Sequence, residues 1–168
     1  MRWKPVILTG CILLLTGCSA SGELAIDSNT FIPTSDARPS DESLALGRMH
    51  FEKASYGMAE RQYRASVEAN PHSVDGWLGL AASYDRLARF ELAERAYERA
   101  AQLGGHTSVL MNNLGYHHML RGNLGIARTH LEAAAKGDPG NPSIQGNLRL
   151  LETWKAAPDA AHDQSRRG

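Results

Sequence analysis

The sequence predicts an all-α protein, a helix-turn-helix solenoid of three helical hairpins followed by a C-terminal capping helix. Three observations predict it. The pairs Leu46-Gly47, Leu80-Ala81 and Leu114-Gly115 recur at a gap-free interval of 34 residues. Ala59, Ala93 and Ala127 keep the same interval, as do Tyr63, Tyr97 and Leu131. Pro71, Gly105 and Pro139 close the three units in the same register. A fixed interval of this size marks one supersecondary unit that buries its apolar face only by stacking on copies of itself.

The chain of 168 residues begins with Met1-Arg2-Trp3-Lys4, a short positive start, followed by the mostly apolar, uncharged run from Pro5 to Leu15. That is the layout of an export signal. It is shorter than the roughly 20 apolar residues of a membrane span. The run ends in Leu15-Thr16-Gly17-Cys18, which resembles the lipobox of bacterial lipoproteins. The resemblance implies a diacylglycerol thioether on Cys18, cleavage before it, and acylation of the new amino terminus. Leu8-Thr9-Gly10-Cys11 matches the same pattern, but only Pro5-Val6-Ile7 separates it from Lys4, too little for an apolar region. The alternative is an uncleaved anchor helix with an incidental cysteine. Several acyl chains make a durable anchor, each buried CH₂ contributing about 0.8 kcal/mol. Ser19 follows the cysteine. In lipoproteins of diderm bacteria an aspartate there resembles an inner-membrane retention signal, so its absence implies the outer membrane. The expected location is thus the bacterial cell envelope, lipid-anchored and facing the periplasm, with residues 1–17 as the signal peptide.

Residues 18–40 carry the cysteine and then a stretch rich in Ser, Thr, Asp, Pro and Gly, with no sustained period of 2 or 3.6. It reads as a tether whose root-mean-square reach is roughly 25 Å. The short apolar pieces Leu24-Ala25-Ile26 and Phe31-Ile32 offer a second reading, docking on a partner.

Residues 41–156 hold the repeats. The fullest unit reads Trp77-x-x-Leu80-Ala81-x-x-Tyr84, then Ala93-x-x-x-Tyr97, then Ala100. Small residues on both helices of a hairpin permit close approach, and Trp77, Tyr84, Tyr63, Tyr97 and Leu131 fill the spaces between. Asn70-Pro71, Gly104-Gly105 and Gly137-Asp138-Pro139 separate the units, and Arg121-Gly122-Asn123 is the turn inside the third. This pattern resembles the tetratricopeptide repeat, over about Ser40 to Pro139. The first and third units depart from it: Ser43 and Met111 stand where the pattern has tryptophan, and His50 and His118 where it prefers tyrosine. Asn141-Pro142, an N-cap followed by proline at the first helical position, starts a capping helix with Leu148, Leu150, Leu151 and Trp154. Residues 157–168 are polar and read as a frayed tail.

Composition excludes several functions. Basic and acidic residues number 18 each, so no global positive field argues for nucleic acid. Losing Arg2 and Lys4 with the signal leaves a formal charge of −2. Both cysteines, Cys11 and Cys18, precede the repeats, which therefore hold no disulfide, zinc cluster or thiol nucleophile. Of seven histidines, His117 and His118 are adjacent, so on a helix they point about 100° apart and do not converge on one metal. His118 falls on a packing position and His117 is expected to be partly exposed. Glu91, Glu94 and Glu98 beside Arg89, Arg95 and Arg99 read as a solvated, ion-paired helix face. Phosphate-loop, zinc-protease and nucleophile-elbow motifs are absent. No enzyme and no cofactor is expected.

What remains is binding. The first helix of each hairpin lines the concave side of such an array. Helical period and the family resemblance place Leu44, Arg48 and Phe51 on it, then Asp75, Leu78, Ala82 and Asp85, then Val109, Asn112, Tyr116 and Met119. This mixed groove suits an extended peptide or a partner helix, with Tyr116 and Phe51 as anchors. Tetratricopeptide domains that bind chaperone C-termini resemble a clamp of Lys, Asn and Arg. The matching positions here hold Leu44, Arg48, Gly79, Val109 and Asn113, so the paired cations are missing. The last unit, from Asn112-Asn113-Leu114-Gly115-Tyr116 through Ile126-Ala127-Arg128 to Asn147-Leu148-Arg149-Leu150-Leu151-Glu152, resembles the TadD-like lipoproteins of Flp (tight adherence) pilus systems. That resemblance implies a pilotin-like adaptor with an outer-membrane secretin as protein partner. The alternatives are a scaffold for outer-membrane or cell-wall assembly, and a regulator of a periplasmic enzyme.

Overall fold

A computed structural model describes residues 38–156. The expected signal peptide, Cys18, nearly all of the expected linker and the expected tail lie outside them. Seven helices follow one another: α1 (Pro39–Glu52), α2 (Tyr56–Ala69), α3 (Val74–Arg86), α4 (Phe90–Gly104), α5 (Ser108–Leu120), α6 (Leu124–Gly137) and α7 (Pro142–Ala156). There is no strand among the described residues. Three hairpins and a seventh helix match the predicted solenoid.

Helix starts repeat with the sequence interval. Ser73, Thr107 and Asn141 stand in register before α3, α5 and α7, and each side chain accepts a backbone N–H of the first turn: from Gly76 at 3.1 Å, Leu110 at 3.2 Å, and Ser143 at 3.0 Å. Such caps satisfy donors that a helix cannot satisfy internally. α1 starts differently, with Pro39 at its first position after Arg38.

Helix ends repeat as well. At the three turns inside hairpins, Ala54, Ala88 and Gly122 adopt the left-handed conformation, with φ of 55°, 54° and 75°. The following N–H groups, of Ser55, Arg89 and Asn123, donate back to His50, Tyr84 and His118 at 2.8–2.9 Å. Each turn is a Schellman motif. Glycine adopts this backbone freely, whereas alanine holds it at a cost.

The predicted small residues sit at the helix contacts. Ala59, Ala81, Ala93 and Ala127 are wholly buried, and Gly47 and Gly115 are buried too. A Cβ on Gly47 would lie 2.7 Å from the Tyr63 ring, and one on Gly115 2.6 Å from Leu131 Cγ. The bulky positions of the second helices thus occupy the space that glycine leaves on the first. One core cluster runs from Ala59 to Leu110 and takes in Tyr63, Leu80, Tyr84 and Tyr97; a second joins Met119, Ala127, Leu131 and Leu151. Leu151 of α7 closes the second cluster, the role expected of a capping helix.

Helix neighbours determine the curvature. Besides successive helices, α1 touches α3, α3 touches α5, and α5 touches α7, whereas α2, α4 and α6 do not touch one another. The odd helices crowd together and the even helices fan out, so the odd helices form the inner face.

Candidate functional site: a groove on the inner face

A groove of about 510 Å³ opens along α1, α3 and α5. Its walls are Arg48 and Phe51 of α1; Asp75, Leu78, Gly79, Ala82, Asp85 and Arg86 of α3; and Val109, Asn113 and Tyr116 of α5, with Tyr63 and Tyr97 reaching in from the even helices and Asn147 from α7. The equivalent positions Arg48, Ala82 and Tyr116, spaced by the repeat interval, all reach it.

Of the eleven predicted groove residues, eight line it: Arg48, Phe51, Asp75, Leu78, Ala82, Asp85, Val109 and Tyr116. The other three do not. Met119 is fully buried in the second core cluster, against Leu131 and Leu151. Leu44 is half-buried against the first core cluster. Asn112 is engaged by the capping helix: the Asn147 amide donates to its side-chain oxygen at 2.9 Å. Burial deepens along one equivalent set, from half-buried Phe51 through Asp85 at 4 % exposure to Met119 at 0 %. α1 has two helices packed against it, whereas α3 and α5 each have four.

The floor is a buried polar network. The Tyr97 hydroxyl donates to Asp85 Oδ2 at 2.9 Å, and His117 Nδ1 lies 2.6 Å from Asp85 Oδ1. Both the Asp85 and His117 side chains are 1 % exposed. Burial, then the Asp85 carboxylate, pushes the Tyr97 hydroxyl well above the ordinary tyrosine range. Tyr63 is pushed up to about 12, chiefly by burial. This corrects the expectation that His117 is partly exposed: its partner comes from a helix 32 residues earlier, a contact that helical period cannot show. Beside it, His118 is half-buried and stacks on His130 at 5.3 Å between ring centres. The described residues contain no group of three or more His, Cys, Asp or Glu able to hold a metal.

The rim holds three cations or anions of different standing. Arg48 pairs with Asp75 across α1 and α3, both half-exposed. Arg86 has no carboxylate partner among the described residues. Its guanidinium donates to the Tyr116 hydroxyl at 3.0 Å and to the Tyr56 hydroxyl at 2.5 Å, and lies 4.6 Å over the Tyr56 ring. Phe51 meets that ring edge-on at 5.3 Å. Sequence reading passed over Arg86 in favour of its neighbour Asp85; both follow Ala82 at helical spacing, and only the structure shows that Asp85 is sealed below while Arg86 faces the groove.

The ion-paired face expected on α4 is arranged otherwise. Glu94 pairs with Arg121 at 3.2 Å, and Arg89 lies 3.9 Å from Glu60 of α2. These pairs join helices instead of running along one.

The fold is that of a tetratricopeptide-repeat array. The chain is similar to the first such domain of human RPAP3 (TM-score 0.63, 21 % identity, 74 % of this chain and 99 % of that one). It is also similar to the Arabidopsis OM64 tetratricopeptide domain (0.61, 16 %, 68 % and 95 %). A third likeness is the second human RPAP3 domain, solved with the HSP70 peptide SGPTIEEVD (0.58, 21 %, 68 % and 95 %). At these identities the likeness concerns the fold. No family model matches the chain, and no curated protein does.

Proposed function

We propose that this protein is an adaptor that captures a segment of another protein in the groove of α1, α3 and α5, while a lipid on Cys18 holds it at the cell envelope. The observation that carries the reading is the groove itself: an open channel of about 510 Å³ walled by Phe51, Leu78, Ala82, Val109 and Tyr116, on a scaffold with a packed core behind it. Apolar and aromatic walls with a few polar groups suit an extended peptide or a helix face. The peptide-bound RPAP3 domain is a precedent for occupancy of this fold. The lipobox-like Leu15-Thr16-Gly17-Cys18 supports the anchor. Tethering raises the local concentration of a membrane-bound partner, so a modest affinity suffices. No catalytic role is proposed.

The finer reading is assistance in assembling a Flp-type pilus or secretion apparatus, in a pilotin-like manner, with the secretin as partner and the outer membrane as location. It rests on the resemblance of the last unit and α7 to TadD-like lipoproteins. A Cys18→Ser strain is the test. The protein is expected to leave the membrane fraction, and secretin multimers to decline. Unchanged fractionation removes the anchor; a normal multimer level with the protein released removes the assembly role. Tyr116→Ala is expected to weaken partner pull-down severalfold with helicity intact, and an unaltered pull-down contradicts the groove.

A further inference from the structure

The charges around the groove differ in how they are paired and covered. Arg48 is matched by Asp75. Asp85, though it reaches the floor, turns one carboxylate oxygen to the Tyr97 hydroxyl and the other to His117, and its side chain is almost wholly covered. Among the described groove residues, Arg86 alone is a solvent-facing charge with no ion-pair partner. Its two hydroxyl acceptors, on Tyr56 and Tyr116, are neutral. A guanidinium has five N–H donors, so most remain for a ligand. Stacking over the Tyr56 ring and the two hydroxyl contacts hold the fork in place before anything binds.

From this arrangement we infer that the groove selects an apolar peptide segment carrying one internal Asp or Glu side chain, whose carboxylate seats on Arg86. The inference rests on the groove reading above and adds the chemistry of the occupant. The carboxylate is internal because α3 lies between α1 and α5. Tyr56, with Phe51 of α1 against its ring, flanks Arg86 on one side and Tyr116 of α5 on the other, so a bound backbone continues past the acid in both directions. Ala82 and Leu78, one turn and two turns before Arg86 on the same helix, receive apolar neighbours of that acid. A charge-assisted, two-pronged bond distinguishes a carboxylate from its amide isostere by geometry and charge together.

The test uses the intact chain in detergent as bait for a phage-displayed library of random dodecapeptides, followed by anisotropy measurements on a selected peptide and its Glu→Gln or Asp→Asn twin. Selected sequences are expected to share one acidic residue with apolar residues on both sides. The acidic peptide is expected to bind about tenfold tighter than its amide twin, with the difference shrinking at high salt. Arg86→Gln should abolish the discrimination, while Arg86→Lys restores part of it; both lie on an exposed position, and circular dichroism verifies their fold. Selection of peptides without acidic residues, selection for acids only at the C-terminus, or a preference that survives in Arg86→Gln overturns the inference. If selected peptides bind without discrimination but are lost in Leu78→Arg, the acid preference fails and the groove stands. If no peptide is enriched at all, both fail.

Discussion

Single residues carry the repeat's chemistry, and two sets of them make measurable claims. Ala54, Ala88 and Gly122 hold the same left-handed turn, and only the third is glycine. Alanine there costs roughly 1–2 kcal/mol, of which glycine's greater chain entropy returns roughly half. Ala88→Gly is therefore expected to stabilise the protein by about 0.5–1 kcal/mol, and Gly122→Ala to destabilise it by about 1 kcal/mol, in urea unfolding. The same sign for both substitutions contradicts the turn assignment. Histidines make the second claim. Burial first, then His117, stacked His130 and Arg121, lower the pKa of His118, against a raising effect of Glu94. Burial, then His106 and His117, lower that of His130. A histidine whose pKa is lower folded than unfolded leaves stability intact above the unfolded value of about 6.5, and stability is lost as pH falls below it toward the folded pKa. The melting temperature is expected to hold from pH 8 to 7 and to fall between pH 6.5 and 5. A His118→Gln, His130→Gln double variant should show a flatter profile over that window. An unchanged slope contradicts the pairing.

At the scale of elements, stability is built from neighbours. α7 closes the second core cluster with Leu151 against Met119, Ala127 and Leu131. Leu151 is fully buried, so Leu151→Ala is expected to cost about 3 kcal/mol. Because units of a solenoid contact only adjacent ones, the loss should appear first as faster amide exchange in α5 and α6, with α3 and α4 still protected. Equal loss of protection in all helices contradicts a repeat-by-repeat architecture. Element starts were legible in the sequence wherever side-chain chemistry is local. Asn141-Pro142 announces α7, and the 34-residue spacing of small residues announces every hairpin contact. The left-handed turns at Ala54 and Ala88 were not legible, because alanine carries no mark of positive φ.

The groove belongs to the whole molecule, and there sequence reading was partial. Helical period and the family resemblance together select residues that mostly line the groove of α1, α3 and α5, but rotation about each axis is fixed by what packs behind it. α7 and α6 draw Met119 into the core. His117, on a neighbouring helix, draws Asp85 down and leaves the next residue, Arg86, on the rim. Distances between helices decide both outcomes, and no local pattern encodes them. The curved inner face, with one solvent-facing cation that has no ion-pair partner among the described residues, is what turns a generic scaffold into a selective surface.

Two apolar side chains of matched exposure sit on opposite faces of the array: Val109, 53 % exposed at the groove, and Ile126, 50 % exposed on the outer helix α6. A photo-crosslinking amino acid placed at each in turn, in the intact protein in its host, measures directly whether the inner face is where a partner binds. The account predicts one strong adduct from position 109, absent from position 126 and reduced by Arg86→Gln. Equal adducts from both positions, or an adduct from position 126 alone, would contradict it.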